Sequence, residues 1–371
     1  MQASGLAYKI AFSLLRGMNA TTAGEMLRRL GSPEEFFRLD ARSLRSRMGV
    51  KSDLADSEYR SSLLEIAVSE AEFIADNNVR SCFFTDQDYP RRLRECADAP
   101  VMLYSLGNGC HDPLRSIAIV GTRHATSFGT NFVGELVRAI KEQIGDVTIV
   151  SGLAYGIDIA AHRAALQYGL PTTAVVAHGL RMIYPADHRG EAARIVKAGG
   201  SIVTEYISSA SPNRGAFLAR NRIVAGMADA VIVVESDSRG GALCTARIGS
   251  EYNREVFAVP GRPCDTYSRG CNNLIANNAA QMLTDCDGLI QAMGWPRQTG
   301  EARQTELFKP LSPLHQRIVD HLRQHPDASV NDLVVQLGIP FASLSSTLFE
   351  MEMADLIITL PGGRYGVISK T

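Results

Sequence analysis

The chain has 371 residues, of which 45% are hydrophobic and 21% are charged, and its formal net charge at pH 7 is −1. This length predicts two or three domains, and the composition is that of an ordinary globular protein with ample apolar material for a core. The near-zero net charge gives no global sign of nucleic-acid binding, so any basic surface must be local.

The cysteines and the N-terminal sequence indicate the cellular compartment in which the protein works. None of the seven cysteines forms a CxxC pair, and Cys264 and Cys271 lack the further partners of a zinc site. We therefore expect reduced thiols and no bound metal. No segment approaches the roughly 20 apolar residues of a membrane span, and the N-terminus lacks the uninterrupted apolar core of a signal peptide. The sequence predicts a cytoplasmic protein with no membrane partner.

Residues 1–70 have apolar residues at three- and four-residue intervals, which is typical of a small helical module. Glycines are expected to break its helices, and they stand at Gly17, Gly24, Gly31 and Gly49. Ser32, followed by Pro33 and two glutamates, predicts a helix start.

The rhythm changes in residues 71–293, where six short, mostly β-branched runs alternate with amphipathic helical stretches. The runs are 117–120, 147–150, 172–177, 201–204, 230–234 and 256–259. Strands and helices that alternate in this way predict βαβ units. With right-handed crossovers they form a doubly wound, Rossmann-like α/β domain, whose mostly parallel sheet is covered on both faces.

The last part of the chain reads as a separate unit. Residues 294–310 are polar and lack apolar periodicity, which predicts a linker. Residues 311–371 contain helical patterns followed by two short strands, and this order predicts a winged helix. The predicted helices are 312–324, 330–337 and 342–353, and the strands are 356–359 and 365–368 around Pro361-Gly362-Gly363.

The third helix of this unit has no lysine or arginine and is followed by Asp355, while Glu350 and Glu352 lie within it. A helix that reads DNA needs positive charge and base-edge donors. We therefore expect this helix to repel phosphate and to serve protein contacts instead.

The loops that leave the predicted strands are the expected ligand site, because ligands of an open parallel sheet bind beyond the carboxyl ends of its strands. Glycines in these loops permit close backbone approach, and the following helix N-termini present free N–H groups to anions. The loop residues are Gly121, Thr122, Arg123, Ser151, Gly152, Gly240 and Gly241. They predict a phosphate-accepting edge. For any single loop, the alternative is that its glycines merely close a tight turn.

The segment 214–222, RGAFLARNR, places three arginines and one phenylalanine within nine residues. Arginines fix phosphates through charge and forked hydrogen bonds, and an exposed phenylalanine offers a face on which a base stacks. Contacts with single-stranded nucleic acid are therefore predicted for Arg214, Phe217, Arg220, Asn221 and Arg222. The alternative is that the arginines pair with neighbouring carboxylates and that Phe217 lies in the core.

Cofactor and catalytic signals are weak. Arg123 stands where the second glycine of a dinucleotide-binding GxGxxG motif should be, and no P-loop lysine occurs, so we expect no cofactor. Glu235, at a strand end, is the best catalytic candidate by position, and its alternative role is to accept hydrogen bonds from loop N–H groups. Asp158 is expected to be an N-terminal cap or a dipole partner of its helix, and His162 a packed helix residue, rather than an acid–base pair.

Motifs between residues 119 and 275 together resemble the DNA-processing protein A (DprA/Smf) family. They are IVGTR (119–123), SGLAYGIDIAAH (151–162), HGLRMIYP (178–185), FLARNRIVAG (217–226), VVES…GGALCTA (233–246), VFAVPG (256–261) and RGCNNLI (269–275). The resemblance implies a Rossmann-like domain with a helix-hairpin-helix or SAM-like module before it and a winged helix behind it. It also implies a protein that binds single-stranded DNA, forms homodimers through the Rossmann-like domain, and loads RecA recombinase during natural transformation.

The resemblance also assigns roles to residues. It implies that Arg123 contacts phosphate, that Arg214 holds the basic position before the aromatic, and that Phe217 stacks on a base. Gly240 and Gly241 are implied to line the same pocket. The chain differs from many relatives at residues 177–179 and at Ala186, which bears on the local shape of that pocket.

The alternative function is a nucleotide-binding or nucleotide-hydrolysing enzyme resembling the phosphoribohydrolases. Their signature pairs a Pro-Gly-Gly loop with a catalytic glutamate. Here Ser238-Arg239 precedes the glycine pair, and Thr245-Ala246-Arg247 occupies the turn where the glutamate should follow. We therefore expect a binding protein and not an enzyme.

Overall fold

The computed structural model describes residues 4–48, 52–298, 312–325, 328–353, 356–360 and 364–367. Two compact units are present, and the chain divides between them after Gln298. Residues 299–310 of the predicted linker and Pro361-Gly362-Gly363 of the predicted hairpin lie outside the described residues, as does Asp355.

The described part of the N-terminal segment is helical, as its apolar periodicity predicts. Its helices are α1 (Gly5–Ser13), α2 (Ala20–Leu30), α3 (Pro33–Arg38), α4 (Ala41–Met48), α5 (Ser52–Ala55) and α6 (Ser57–Asp76). The predicted start at Ser32 is confirmed, since its hydroxyl accepts a hydrogen bond from the Glu35 N–H at 3.2 Å.

The glycines of this segment behave in two ways. Gly17 and Gly31 have φ values of 72° and 84° and lie between helices, as expected. The predicted break at Gly24 is wrong, because this residue lies inside α2. One interior glycine costs a helix only about 1 kcal/mol, and α2 buries Ala23 and Met26 on its apolar face. Gly49 lies outside the described residues.

Helix α6 crosses residue 70 and ties the helical segment to the sheet domain. The buried Glu70 carboxylate accepts hydrogen bonds from the Ser208 N–H at 2.8 Å and from the Ser208 hydroxyl at 2.6 Å. Ser208 follows a strand of the sheet, so these bonds fix one of the strand-exit loops. The Arg181 guanidinium also lies over the Phe73 ring, 4.8 Å from its centroid.

A nine-stranded, mostly parallel sheet forms the centre of this unit. Its strands are β1 (Arg80–Phe83), β2 (Met102–Gly107), β3 (Ser116–Val120), β4 (Thr148–Ser151), β5 (Thr172–Val175), β6 (Ser201–Thr204), β7 (Ala230–Val233), β8 (Glu255–Ala258) and β9 (Gln281–Met282). Their order is β1-β2-β6-β5-β4-β3-β7-β8-β9, with β1 and β2 antiparallel to their neighbours. The predicted parallel strands are thus confirmed, and β1, β2 and β9 are additions.

Helices cover both faces of the sheet. They are α7 (Arg91–Arg94), α8 (Ser127–Gln143), α9 (Ile157–Tyr168), α10 (Arg189–Lys197), α11 (Arg214–Gly226), α12 (Gly241–Glu251), α13 (Arg269–Ala276) and α14 (Cys286–Met293). Successive β3 residues point to opposite faces, so Ala118 belongs to one apolar cluster and Ile117 and Ile119 to the other. Both sets are buried, which explains why the central strands are continuous apolar runs.

The second unit has the predicted winged-helix order. It consists of α15 (Pro313–Gln324), β10 (Ala328–Ser329), α16 (Val330–Leu337), α17 (Phe341–Met353), β11 (Ile357–Leu360) and β12 (Arg364–Val367). Strand β12 lies between β10 and β11 in a small antiparallel sheet. Ile318, Leu333, Leu344 and Met351 are among the residues of its own apolar core.

Among the described residues, no single helix has the length and apolar character needed to cross a membrane. The helix pair α16 and α17 meets those criteria only when taken together, and it is bent by 116° at its break.

Candidate functional site

A pocket of about 320 Å³ opens at the carboxyl ends of β3 and β7. The chain winds outward in opposite directions from these two neighbouring strands, since β4 lies beside β3 on one side and β8 beside β7 on the other. Such a reversal leaves a crevice in which open α/β sheets bind their ligands. The predicted residues that line this pocket are Gly121, Thr122, Arg123, Phe217, Arg220, Asn221, Gly240 and Gly241.

Two aromatic rings and a guanidinium meet at the mouth of the pocket. The Arg123 guanidinium lies over the Phe217 ring, 5.2 Å from its centroid, and the Tyr184 ring centroid lies 5.7 Å from that of Phe217. Arg123 is exposed and, among the described residues, has no carboxylate within 4.0 Å. The side chains that a polyanion and its bases would contact are therefore grouped, with Arg123 and Tyr184 exposed and Phe217 half-buried between them.

Tyr184 was not among the predicted site residues, although its strand-exit position was visible in the sequence. Its ring is 42% exposed and lies beside Phe217. A large aromatic at a strand exit, next to a proline and far from any apolar periodicity, is the signal that could have identified it.

Two helix N-termini also face the pocket. Helices α9 and α12 begin after Gly156 and Gly240, and neither glycine can provide a side-chain cap. Ala154, Asp158, Gly240, Gly241 and Ala242 at these helix starts line the pocket. The positive end of a helix dipole and unsatisfied N–H groups attract phosphate oxygens. The Ile157 and Ile159 N–H groups of α9 already donate to the Thr122 and Ala154 carbonyls, so among the described residues it is the start of α12, at Gly241 and Ala242, that offers N–H groups. Gly156 is required for this geometry, because its φ is 77° and a Cβ there would collide with the Thr122 carbonyl. We call Arg123, Tyr184, Arg214 and Phe217, together with these two helix N-termini, the rim.

A layer of buried polar groups lies directly beneath the rim. The Arg220 guanidinium is only 5% exposed and donates to the carbonyl oxygens of Gly152 and Val175, each at 2.5 Å. Asp158 accepts a hydrogen bond from the Gly152 N–H at 3.1 Å. Burial raises the pKa of the Asp158 carboxyl, and the charge of Arg220 opposes that rise. We call Ser151, Asp158, His162 and Arg220 the buried layer.

The remaining predicted residues are distributed between the surface and the interior. The Ser151 hydroxyl is buried and donates to the Ile119 carbonyl at 2.6 Å, which joins β4 to β3. Arg222 pairs with Glu205, which is the alternative considered for this arginine. Arg214 is exposed at the first turn of α11 and does not line the pocket. Roles of these residues in DNA binding stay predictions.

The catalytic candidates have structural partners. The Glu235 carboxylate is 4% exposed and accepts hydrogen bonds from the Thr126 N–H at 2.9 Å and the Thr126 hydroxyl at 2.6 Å. Its alternative role, as an acceptor for loop N–H groups, is thus confirmed. His162 is fully buried and its Nδ1 lies 2.7 Å from the Thr172 hydroxyl oxygen, as expected of a packed helix residue.

With this geometry in place, comparison with known proteins identifies the family. A family model described as DNA recombination-mediator protein A matches residues 80–294, and one described as the DprA winged helix domain matches residues 302–363. The chain belongs to the DprA/Smf family. The resemblance of its motifs is thereby confirmed, and so is the winged helix behind the Rossmann-like sheet.

The family members most informative here are bacterial. Protein Smf of Synechocystis sp. is 34% identical over 315 residues, which is 76% of this chain and 78% of that protein. The X-ray structure of DNA processing protein A from Streptococcus pneumoniae superposes with a TM-score of 0.64 at 29% identity, and covers 78% of this chain and 98% of that one. The structure of DNA processing protein A from Helicobacter pylori, described for its single-stranded DNA binding mode, has a TM-score of 0.52 at 28% identity, with 58% and 95% covered.

Proposed function

We propose that this protein binds and protects incoming single-stranded DNA at the rim and loads RecA recombinase onto it in natural transformation or DNA recombination. In this proposal it acts by binding and not by catalysis, and it does so as a homodimer through the Rossmann-like domain. The homodimer and the transfer to RecA follow from the family resemblance alone.

The observation that carries the proposal is the arrangement of Arg123, Phe217 and Tyr184 at the mouth of the pocket between the carboxyl ends of β3 and β7. A single strand offers alternating phosphates and unpaired bases. The rim offers an exposed guanidinium and the N-terminus of α12 for the phosphates, and the half-buried ring of Phe217 and the exposed ring of Tyr184 for the bases. A duplex hides its base faces within the stack, so the two rings favour the single strand.

Binding at the rim is expected to tolerate any base sequence. Backbone charge and stacking carry no base code, because every base has a π-face and every nucleotide has the same phosphate. A second rim in a homodimer would act at high effective concentration once the first had bound, so a monomeric variant should bind long strands much more weakly.

Fluorescence anisotropy tests the proposal with a labelled strand of about 35 nucleotides, single or in duplex. We expect wild-type protein to prefer the single strand and the double variant Arg123→Ala/Phe217→Ala to lose that preference. Arg194→Ala is the matched control, since Arg194 is an exposed arginine in the last turn of α10, which ends beside the amino ends of the strands. Equal binding of single strand and duplex by the wild type would refute the function. Unchanged binding by the double variant would refute the site.

The RecA step has its own test. RecA filament growth on a single strand is measured after the strand is mixed with the wild type, the double variant or the Arg194→Ala control. We expect faster filament nucleation with the wild type and the control only. Equal nucleation with all three proteins would show that strand binding at the rim does not serve RecA loading.

A further inference from the structure

A second cavity, of about 840 Å³, lies on the other side of the loop that carries Arg123. Phe128 and Thr126 line it from the β3 exit, Glu235 lines it from the β7 exit, and Arg262 and Tyr267 line it from the segment that follows β8. It therefore opens at the same edge of the sheet as the rim pocket. No residue of the rim lines this cavity.

The cavity has aromatic surfaces of the kind that bases stack on. Tyr267 lines the cavity, and its ring is nearly parallel to that of His124 beside it, with an interplanar angle of 24° and centroids 6.1 Å apart. Phe128 also lines the cavity and is 52% exposed, so its ring is open to a ligand. Flat rings around a wide opening suit a base better than they suit a compact metabolite.

The charges around the cavity nearly balance. Arg262 is exposed, and among the described side chains no carboxylate lies within 4.0 Å of it. Asp265 also lines the cavity and opposes that charge, whereas Glu235 is held inward by Thr126. Stacking rather than phosphate contact must therefore supply most of any binding at this place.

The cavity lies next to the rim pocket, although the two openings share no lining residue. His124 directly follows Arg123, and the Ser236 N–H, next to Glu235, donates to the Tyr267 carbonyl at 2.6 Å. The rim pocket opens at β3 and β7 and the cavity extends to the exit of β8. Neighbouring strands lie about 4.8 Å apart, so the two openings are separated by on the order of 5–10 Å. A chain that occupies one opening reaches the other within a few nucleotides.

We propose that the same DNA strand continues from the rim into this cavity, where a second base stacks against the His124–Tyr267 ring pair. This subsite rests on the proposed function of the rim and extends it. The rim supplies the charge and the first stacked base, and the cavity supplies a second stacked base with little added charge. The protein therefore has a binding footprint longer than the rim pocket alone.

The test compares strands of about 4 and about 16 nucleotides, the two ends of the usual site-size range, by competition against a labelled strand across a salt series. Full-length wild type, Phe217→Ala, Tyr267→Ala and Tyr267→Phe are measured. We expect Tyr267→Ala to weaken the long strand about 5- to 100-fold, to leave the short strand within about twofold, and to leave the salt dependence unchanged. Tyr267→Phe keeps the ring and should bind like the wild type.

The outcomes separate the subsite from the function on which it rests. Loss of both strand lengths in Phe217→Ala, with neither length affected in Tyr267→Ala, would overturn the subsite and leave the rim intact. Equal weakening of short and long strands by Tyr267→Ala would also overturn it, because the change would then act through the rim. No effect of Phe217→Ala on either length would refute the rim itself. His124→Ala is the second variant, and it should reproduce Tyr267→Ala if the ring pair acts as one surface.

Discussion

Arg214 and Arg220 lie six residues apart in α11 and have opposite environments. Arg214, in the rim, faces solvent, whereas Arg220, in the buried layer, is 5% exposed and bonds to two backbone carbonyls. The rim is built of groups that a ligand can reach, and the buried layer is built of groups that hold the strand-exit loops in place. Residue type alone therefore does not indicate function here, since the depth of each side chain decides it.

The largest expected effect is a difference in the free energy of unfolding between a variant of the buried layer and a variant of the rim. Arg220→Ala should lower the free energy of unfolding by about 2–6 kcal/mol, because it leaves the carbonyl oxygens of Gly152 and Val175 without their buried donor, at about 1–3 kcal/mol each. Arg214→Ala is the matched control and should change it by no more than about 0.5 kcal/mol. Urea unfolding at pH 7.5 measures both. Equal losses for the two variants would erase the distinction between rim and buried layer.

The next effect concerns the rim alone. Phe217→Ala should cost about 1–3 kcal/mol of single-strand binding free energy, the usual value for one stacked base, without changing the free energy of unfolding appreciably. Phe349→Ala is the control, because Phe349 is a 65% exposed phenylalanine of the winged helix. Affinity is measured by anisotropy. An unchanged affinity in Phe217→Ala would remove the stacking role.

The buried layer is also expected to make stability depend on pH, through His162. Burial, together with the charge of Arg220, lowers the pKa of His162 to about 3 from its ordinary value of 6.5. Below pH 6.5, His162 therefore binds a proton in the unfolded chain but stays neutral in the folded chain. The free energy of unfolding therefore decreases as pH falls from 6.5 towards 3.

The slope from this group is at most about 1.4 kcal/mol per pH unit. In His162→Gln the free energy of unfolding should depend less steeply on pH between 7 and 5 than in the wild type. The rest of the chain is the same in both proteins, so the difference in slope isolates His162. Identical slopes would show that His162 is not held neutral by its surroundings.

The smallest expected effect is on the salt dependence of DNA binding, and it tests whether Arg214 of the rim contacts a phosphate. Loss of one phosphate contact in Arg214→Ala should reduce the slope of log affinity against log salt by about 0.7 for a single strand. The affinity difference from wild type should therefore shrink at high salt. A uniform loss across the salt series would mean that Arg214 contributes through something other than phosphate contact.

Much of the sheet was predictable because its central strands are buried on both faces and appear as continuous β-branched runs. Strands β1 and β2 were not predicted, since the segments RSCF and MLYSLG mix polar and apolar residues without a clear alternation. The rim was predictable in outline, because parallel strands end at one edge and glycines mark their exits.

The burial of Arg220 and the exposure of Arg214 in α11 were not predicted from the sequence, although the helical periodicity indicates the difference. Ala216, Arg220, Ile223 and Val224 share one helical face, and the structure buries all four. An arginine in register with apolar residues is therefore expected to lie inward, where it needs internal partners. Those partners are the carbonyl oxygens of residues 152 and 175, which lie at the exits of other strands. The sequence around Arg220 does not predict hydrogen bonds to such distant residues.

Amide hydrogen exchange with and without a bound single strand tests the central claim most directly, because it locates the contact without altering the protein. Slower exchange is predicted in residues 121–126, 214–218 and 239–243, with no change in residues 330–353 of the winged helix. Protection confined to residues 330–353, with the rim unchanged, would contradict the claim that the rim binds the strand.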